Sequence, residues 1–454
     1  MLTKNQNITL KIDGMTAEGN GVGHFDGVAV FVPGSAIGDE LEIHIVKVKK
    51  NYAFGKILNI IEPSKDRISS DCEVSMKCGG CAYRHISYEA ESQIKKQRVE
   101  DAFTRIGHFE NPPLLDIVSS KETDHYRNKA QFPIGRDKDG NLEIGFYALG
   151  SHRIIPCKSC ALQPEIFSDV LNIVEKWIEK NKVSTYSEET KNGLLRHIYI
   201  RRGHYSKELM LCLVINGKTI PAENELIEEL KERIESFKTL IINVNTKDTN
   251  VITGEECITL FGEGYITDTL CGLTFRISPL SFYQVNPPQA ERLYTLGKEY
   301  AELSKDDILL DLYCGTGTIG LTMASEVKKL VGVEIIPEAI EDAKKNAKLN
   351  GIDNAEFICG DATKAAETLK EQGLSPSVVL VDPPRKGLTP ELIQTIVDMN
   401  PRRLVYISCD PATLARDAAL FQSLGYALNR ATPLDMFPRT AHVECVTLLT
   451  KIHI

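Results

Sequence analysis

Three apolar runs in the C-terminal part of the chain end in chemistry instead of ordinary turns. I-L-L-D-L-Y-C-G-T-G-T-I-G (308–320) runs into a glycine-rich turn. V-V-L-V-D-P-P-R-K-G (378–387) ends at Asp382, and L-V-Y-I-S-C-D-P (404–411) ends at Cys409, with Asp410 and Pro411 turning the chain. Short apolar runs alternating with helical segments imply an α/β unit around a buried parallel sheet. Such sheets bind ligands at the carboxyl ends of their strands. A nucleotide-type cradle, a carboxylate and a thiol are thus expected on one rim.

A chain of 454 residues suggests roughly two to four domains, and 42% hydrophobic with 25% charged residues is ordinary for globular protein. The opening M-L-T-K-N-Q-N-I-T-L-K-I has no continuous apolar core, so no signal peptide is expected. No window approaches the roughly 18 apolar residues of a spanning helix. A cytoplasmic protein without a membrane role is expected. Twelve cysteines in such a compartment point to metal ligands or a nucleophile over disulfides. The net charge of −9 argues against wholesale coating by nucleic acid, while leaving room for a local basic groove.

Residues 1–62 alternate apolar and polar positions with glycine punctuation and read as a small β-barrel. Lys47, Lys49, Lys50 and Lys56 flank Tyr52 and Phe54 there. That pattern suits single-stranded nucleic acid, and equally an edge strand protected by lysines. Residues 63–281 read as a central α+β domain. It contains a cysteine-rich stretch and a helix over 88–106 whose polar face carries Lys95, Lys96, Arg98 and Arg105. Strands are expected over 130–134, 143–147, 194–201 and 209–215. Residues 282–454 form the α/β unit.

G-T-G-T-I-G (315–320) matches a dinucleotide fingerprint, and Glu334 ends the next strand, where ribose hydroxyls are bound. Asp311 precedes the loop, where S-adenosylmethionine enzymes commonly keep an acidic residue near the methionine amino group. Asp361 ends I-C-G-D-A (358–362), placed for the adenine amino group. A dehydrogenase needs neither D-P-P-R nor S-C-D-P at the remaining strand ends, so S-adenosylmethionine is the expected cofactor.

Most cysteines at strand ends are small buried hydrophobes, and Cys212, Cys257, Cys271, Cys314, Cys359 and Cys445 are read as that or as incidental. Cys409 differs because it stands at the ligand rim beside a methyl donor. The C5 carbon of a pyrimidine is too electron-poor to attack a sulfonium methyl group, and a thiolate adding at C6 makes it nucleophilic. Arg385 is the cation expected to favour the thiolate. Removing the C5 proton afterwards needs a base. In F-P-R-T-A-H-V-E-C-V (437–446) Glu444 is preferred over His442, provided the last strand runs antiparallel and begins at the same rim.

Cys72, Cys78 and Cys81 are followed far downstream by Cys157 and Cys160. Two C-x-x-C pairs could hold zinc in S4 geometry, leaving Cys72 idle. Three close thiolates plus one distant one fit an iron–sulfur cluster, and Gly79-Gly80 would let the backbone wrap closely around it.

With L-D-L-Y-C-G-T-G-T-I-G, D-P-P-R-K-G, S-C-D-P and F-P-R-T-A-H-V-E in this order, the chain resembles the RNA uracil-C5 methyltransferases, and most of all their bacterial 23S ribosomal RNA branch. The resemblance covers essentially the whole chain. It implies an N-terminal TRAM barrel (OB-like), a central domain with a 4Fe–4S cluster, and a Rossmann-like class I methyltransferase domain. It further implies Cys409 as nucleophile and Glu444 as proton acceptor, with Gln284, Tyr313, Glu334, Asp361 and Asp382 binding S-adenosylmethionine. The implied cluster ligands are Cys72, Cys78, Cys81 and Cys160. A helix near residues 90–110 would pack with the catalytic domain. The implied activity is 5-methyluridine formation in 23S rRNA by a monomer, with transfer RNA uridine-54 as the alternative substrate. An iron–sulfur oxidoreductase using a dinucleotide, or an RNA-binding protein with a lapsed site, are the readings of other classes.

Overall fold

In a computed structural model, residues 2–452 are described. The N-terminal strands Asn7–Lys11, Gly14–Met15, Gly21–Phe25, Val28–Val32, Glu40–Val48 and Tyr52–Glu62 form one sheet, in the order first, fifth, sixth, fourth, third, second. Period-2 alternation sends Ile8, Leu10, Val30, Val32, Leu41, Ile43 and Ile45 into a single core. Gly23 has no Cβ, and this lets the third strand cross against the Lys11 carbonyl of the first.

The central sheet has seven strands. Leu209–Ile215 and Leu195–Arg202 lie in its middle, with Lys129–Arg136 beside the latter. Helices Ile166–Lys180 and Glu223–Arg233 cover one face through Leu171, Trp177, Leu226 and Leu230. On the opposite face Tyr199, Met210, Cys212 and Ile241 share a core with the C-terminal sheet. The two units are therefore joined by buried apolar surface.

The C-terminal sheet runs Ala355–Cys359, Lys329–Glu334, Ile308–Leu312, Val378–Val381, Arg403–Ser408, Glu444–Lys451, Tyr426–Leu434. The first five strands are parallel, and Glu444–Lys451 is antiparallel to both of its neighbours. The central parallel strands Val378–Val381 and Arg403–Ser408 are nearly all apolar because both faces are covered, whereas the edge strand Ala355–Cys359 is only partly buried. Leu309, Leu380, Val405 and Ile407 enter one core, while Leu310, Val379, Leu404 and Tyr406 enter the other. No helix among the described residues is long and apolar enough to cross a membrane.

The helix Tyr88–Arg105 begins at Ser87, whose Oγ accepts from the Ala90 amide at 3.2 Å. Its residues Val99 and Phe103 lie in the core of the C-terminal sheet, far along the sequence. Lys95 does not belong to a solvated face, as the sequence suggested. It is buried, and its Nζ donates to Glu91 Oε1 at 2.6 Å and to Asp435 Oδ1 at 2.7 Å. The i,i+4 spacing places Glu91 beside Lys95, and Asp435 arrives from the segment before the last strand. Arg98 is half-buried and donates to the Ala441 carbonyl at 2.7 Å. The helix thus clamps the loop that leads to Glu444.

Replacing Lys95 with Met leaves two buried carboxylates without their shared ammonium. Breaking such a pair costs about 3–5 kcal/mol, so urea unfolding of Lys95→Met should show a loss of that size. An unchanged midpoint would contradict the clamp.

Candidate active site

Cys409 is the first residue after the strand Arg403–Ser408. Asp410 then caps the helix Pro411–Ser423, its Oδ1 accepting from the amides of Ala412 at 2.9 Å and Thr413 at 3.3 Å. Ser408 Oγ accepts from the Asp410 amide at 3.1 Å and tightens the turn. The ladder pairs Ser408 with Cys445, so Cys409 stands opposite Glu444, one position beyond. The antiparallel last strand meets the condition that the sequence argument set for Glu444.

Charge around this pair is concentrated and poorly solvated. Burial, with the Glu444 and Asp382 charges, pushes the Cys409 thiol up to about 11, while Arg385 pulls it down through its charge and a hydrogen bond. The start of the helix beside it acts in the same direction as Arg385. Burial and then Asp382 raise Glu444 to about 8, against the pull of Arg385. Burial raises Asp382 to about 7. His442 is shifted the opposite way, to about 4, by burial and by Arg385, Arg98, Arg127 and Lys95. Its Nδ1 lies 3.4 Å from Arg385 Nη2. A base must accept a proton readily: Glu444 does so here and His442 does not.

The cradle lies at the same strand ends. Asp311 is buried, and its Oδ2 accepts from the Gly320 amide at 3.1 Å. A Cβ on Gly320 would lie 2.6 Å from that oxygen, so the close approach requires glycine. Asp311 Oδ1 is buried without a partner, and burial plus the Asp382 charge raise the carboxyl to about 8. An unpaired buried carboxyl at a ligand rim is a seat for a cation. Glu334 Oε2 accepts from the Gly315 amide at 3.1 Å, and its Oε1 from the Ile335 and Ile336 amides at 2.8 and 3.0 Å. Asp361 is exposed and caps the helix Ala362–Glu371, its Oδ1 accepting from the Thr363 and Lys364 amides at 3.1 and 3.2 Å. Tyr313 is half-buried, with its phenol raised by burial and by the Asp361 charge. Gln284 is buried, and its carbonyl accepts from Asn128 Nδ2 at 3.0 Å. Gln284 therefore joins the cradle to the central sheet.

Among the described residues, no three or more His, Cys, Asp or Glu side chains converge as a ready metal-binding group. The expected ligands Cys72, Cys78, Cys81 and Cys160, and Cys157 with them, are nonetheless close enough to act on one another by charge. Burial followed by Cys160 raises Cys81 to about 12, and burial followed by Cys160, Cys72 and Cys78 does the same for Cys157. A Cβ on Gly80 would lie 3.4 Å from Cys78 Sγ, so the backbone does run close to a thiol there. Of the six cysteines read as incidental, Cys212, Cys314 and Cys445 are buried, while Cys257, Cys271 and Cys359 are exposed.

Sequence reasoning overlooked Arg127, whose guanidinium lies 6.0 Å from the Phe437 ring centre and whose charge acts on His442, Cys81 and Cys160. It links the cysteine segment to the loop before Glu444. The Ala82 and Tyr83 amides reinforce that link, donating to the Arg439 carbonyl at 2.9 and 3.1 Å. The run Y-R-N-K (126–129) was the available signal.

Comparison with known proteins agrees with this geometry. Residues 87–452 match the family model described as tRNA (uracil-5-)-methyltransferase, and residues 2–58 match the TRAM domain. An "uncharacterized RNA methyltransferase" of Clostridium tetani is 44% identical over 447 residues, covering 98% of this chain and 97% of its own. A relative with the same description from Oceanobacillus iheyensis is 42% identical over 450 residues, covering 99% and 97%. Among solved structures, the Pyrococcus abyssi tRNA (uracil-54, C5)-methyltransferase, in complex with S-adenosyl-L-homocysteine, superposes with a TM-score of 0.78 at 27% identity, covering 98% of this chain and all of that one. The N-terminal barrel is a TRAM domain, and the C-terminal unit has the class I methyltransferase fold. The chain belongs to the RNA uracil-5 methyltransferase family.

Asp311, Asp382 and Glu444 all hold protons more tightly in the folded state than carboxyls ordinarily do. The native state then binds more protons than the unfolded one between about pH 4 and 8, so these groups make stability fall as pH rises through that window. Glu444→Gln removes one contribution. The variant should unfold at a higher urea concentration than the parent at pH 8, with the difference shrinking at pH 5; equal midpoints at both would contradict the raised carboxyl.

Proposed function

We propose that this protein methylates C5 of uridine in RNA, with Cys409 as nucleophile and Glu444 as base. The observation that carries the reading is Cys409 opposite the proton-accepting Glu444, one position beyond the last rung of the sheet and within reach of the Asp382 charge, in a chain of this family. Cys409 adds as thiolate to C6 of the uracil, and the ring electrons move toward O4 and C5. S-adenosylmethionine, when bound, would supply an electrophilic methyl group, the S–CH3 bond breaking as C5 bonds the methyl and S-adenosylhomocysteine leaving with the electron pair. Glu444 then takes the C5 proton, and the pair left behind re-forms the C5–C6 double bond and expels the Cys409 thiolate. Arg385 steadies the sulfur anion, and Asp382 is the residue proposed to be shared between cofactor and uracil.

The cradle fits that cofactor: the unpaired Asp311 oxygen suits an ammonium group, and the Glu334 carboxylate at the end of the neighbouring strand is the proposed partner of the ribose hydroxyls. Gln284, Tyr313, Asp361 and Asp382 complete the proposed contacts. The uridine must leave its stack to reach Cys409. Exposed Lys47, Lys49, Lys50 and Lys56 beside Tyr52 and Phe54, whose rings lie 5.6 Å apart, support RNA contact by the barrel.

We further propose 23S rRNA as the substrate, a monomeric cytoplasmic enzyme, and domain limits at residues 1–62, 63–281 and 282–454. The thiol-rich segment fits a 4Fe–4S cluster held by Cys72, Cys78, Cys81 and Cys160, since deprotonation on iron would remove the cost of burying mutually repelling thiolates. Its role is structural, fixing the segment that grips the Arg439 carbonyl. The second reading, tRNA uridine-54, is favoured by the activity named for the Pyrococcus abyssi structure. Family membership favours methyl transfer over a dinucleotide oxidoreductase.

With RNA and S-adenosylmethionine, Cys409→Ala should form no 5-methyluridine; undiminished formation would remove the mechanism. Mass-spectrometric mapping in cells with and without the gene should show the modification lost from 23S rRNA, whereas loss from tRNA alone would support the second reading. Chelation should release iron and lower the melting temperature. Cys160→Ser should lose iron and Cys157→Ser should retain it; unchanged melting after chelation would count against a structural role.

A further inference from the structure

The central sheet carries an electrostatic cost that no carboxylate among the described residues offsets. In the ladder between its strands Lys129–Arg136 and Leu195–Arg202, Lys129 is directly opposite Arg201. Like charges in that position repel. Alternation places both on the face away from Ala130, Phe132, Ile198 and Ile200, which fill the core under the two helices. That is the face carrying Tyr199, toward the catalytic unit.

Arg201 is almost completely buried, at 1% exposure. Its Nη1 donates to the carbonyls of Ser278 and Ser281 at 2.8 and 3.0 Å, while its Nε and Nη2 have no partner. Arg127 Nε, on the same strand approach, is also buried and unpartnered. Among the described residues no carboxylate lies within ion-pair distance of Lys129, Arg201 or Arg127. Lys129, on the same ladder rung, is only half-buried. Burial, then Arg201 and Arg127, lower Lys129 to about 8. Folding has brought three cations together with no anion beside them among the described residues, an arrangement that an anion from outside would relieve.

The position narrows its identity. Asn128, between Arg127 and Lys129, holds the Gln284 carbonyl, and the Val285 carbonyl accepts from the Asn128 amide at 2.9 Å. Arg127 reaches Phe437 in the loop before Glu444. The cations therefore run along the wall that joins the cofactor cradle to the catalytic loop. An extruded nucleotide turns about its own backbone, which brings its flanking phosphates to the edge of the pocket that takes its base.

We propose that Lys129 and Arg201, with Arg127 beside them, bind a backbone phosphate of the RNA next to the target uridine. This inference rests on the RNA reading above and assigns a part of the substrate that the base chemistry does not reach. The phosphate would accept hydrogen bonds from Lys129 Nζ and from the free guanidinium edge of Arg201, and the surrounding apolar wall would strengthen both.

The test uses full-length protein and a fluorescein-labelled, uridine-containing single-stranded RNA, with binding followed by anisotropy across a salt series. Each phosphate neutralised on a single strand contributes about 0.7 to the slope of log affinity against log salt. Lys129→Gln should lower the slope by about that amount and weaken binding several-fold, Lys129→Arg should keep the parental slope, and the melting temperature of Lys129→Gln should be unchanged or higher. An unchanged slope in Lys129→Gln, or a fall in melting temperature with the slope retained, would overturn the phosphate site while leaving the uridine reading standing. Absence of RNA binding by the parent protein would overturn both.

Discussion

The reversed direction of one strand governs this molecule. Glu444–Lys451 enters the sheet antiparallel between Arg403–Ser408 and Tyr426–Leu434. Its beginning therefore meets the carboxyl ends of the parallel strands, and Glu444 comes to rest opposite Cys409. A parallel strand there would carry its first residue to the far edge of the sheet, and no carboxyl would face the thiol. The buried Lys95–Glu91–Asp435 group holds the approach to that strand, so a helix far away in sequence fixes where Glu444 stands.

Around that pair the protein keeps more negative potential than water would tolerate cheaply. Asp311, Asp382 and Glu444 are all pushed toward their protonated forms, chiefly by burial. Arg385 is the cation that opposes this at the sulfur. Such a site is costly when empty and gains most from a ligand that carries positive charge, as a sulfonium with an ammonium group does. The cation row on the central sheet shows the reverse imbalance. The two groups thus suit opposite participants of the proposed reaction, the carboxyls a cationic methyl donor and the cations an anionic polynucleotide.

Much of this was legible in the residues. Period-2 alternation located the barrel strands, and unbroken apolar runs located the buried parallel strands that end at Tyr313, Asp382 and Cys409. The helix expected over 88–106 is present as Tyr88–Arg105. What could not be read was long-range: the partner of Lys95 lies at Asp435, and nothing in the helical pattern distinguishes a lysine buried by a distant carboxylate from a solvated one. The same limit applied to Lys129 and Arg201, whose pairing exists only through strand register. The cysteine spacing announced a cluster of thiols, but spacing carries no information about whether side chains converge, and in the structure they are neighbours without forming a ready ligand set.

The proposed reaction depends on the sulfur of Cys409 forming a bond to a pyrimidine ring. With 5-fluorouridine in place of uridine there is no C5 proton to remove, so elimination should stall and leave RNA attached to the protein. Incubation with S-adenosylmethionine and the fluorinated RNA, followed by proteolysis and mass spectrometry, should give a modified peptide containing Cys409. An adduct on any other side chain, or no adduct while unmodified RNA is methylated normally, would contradict it.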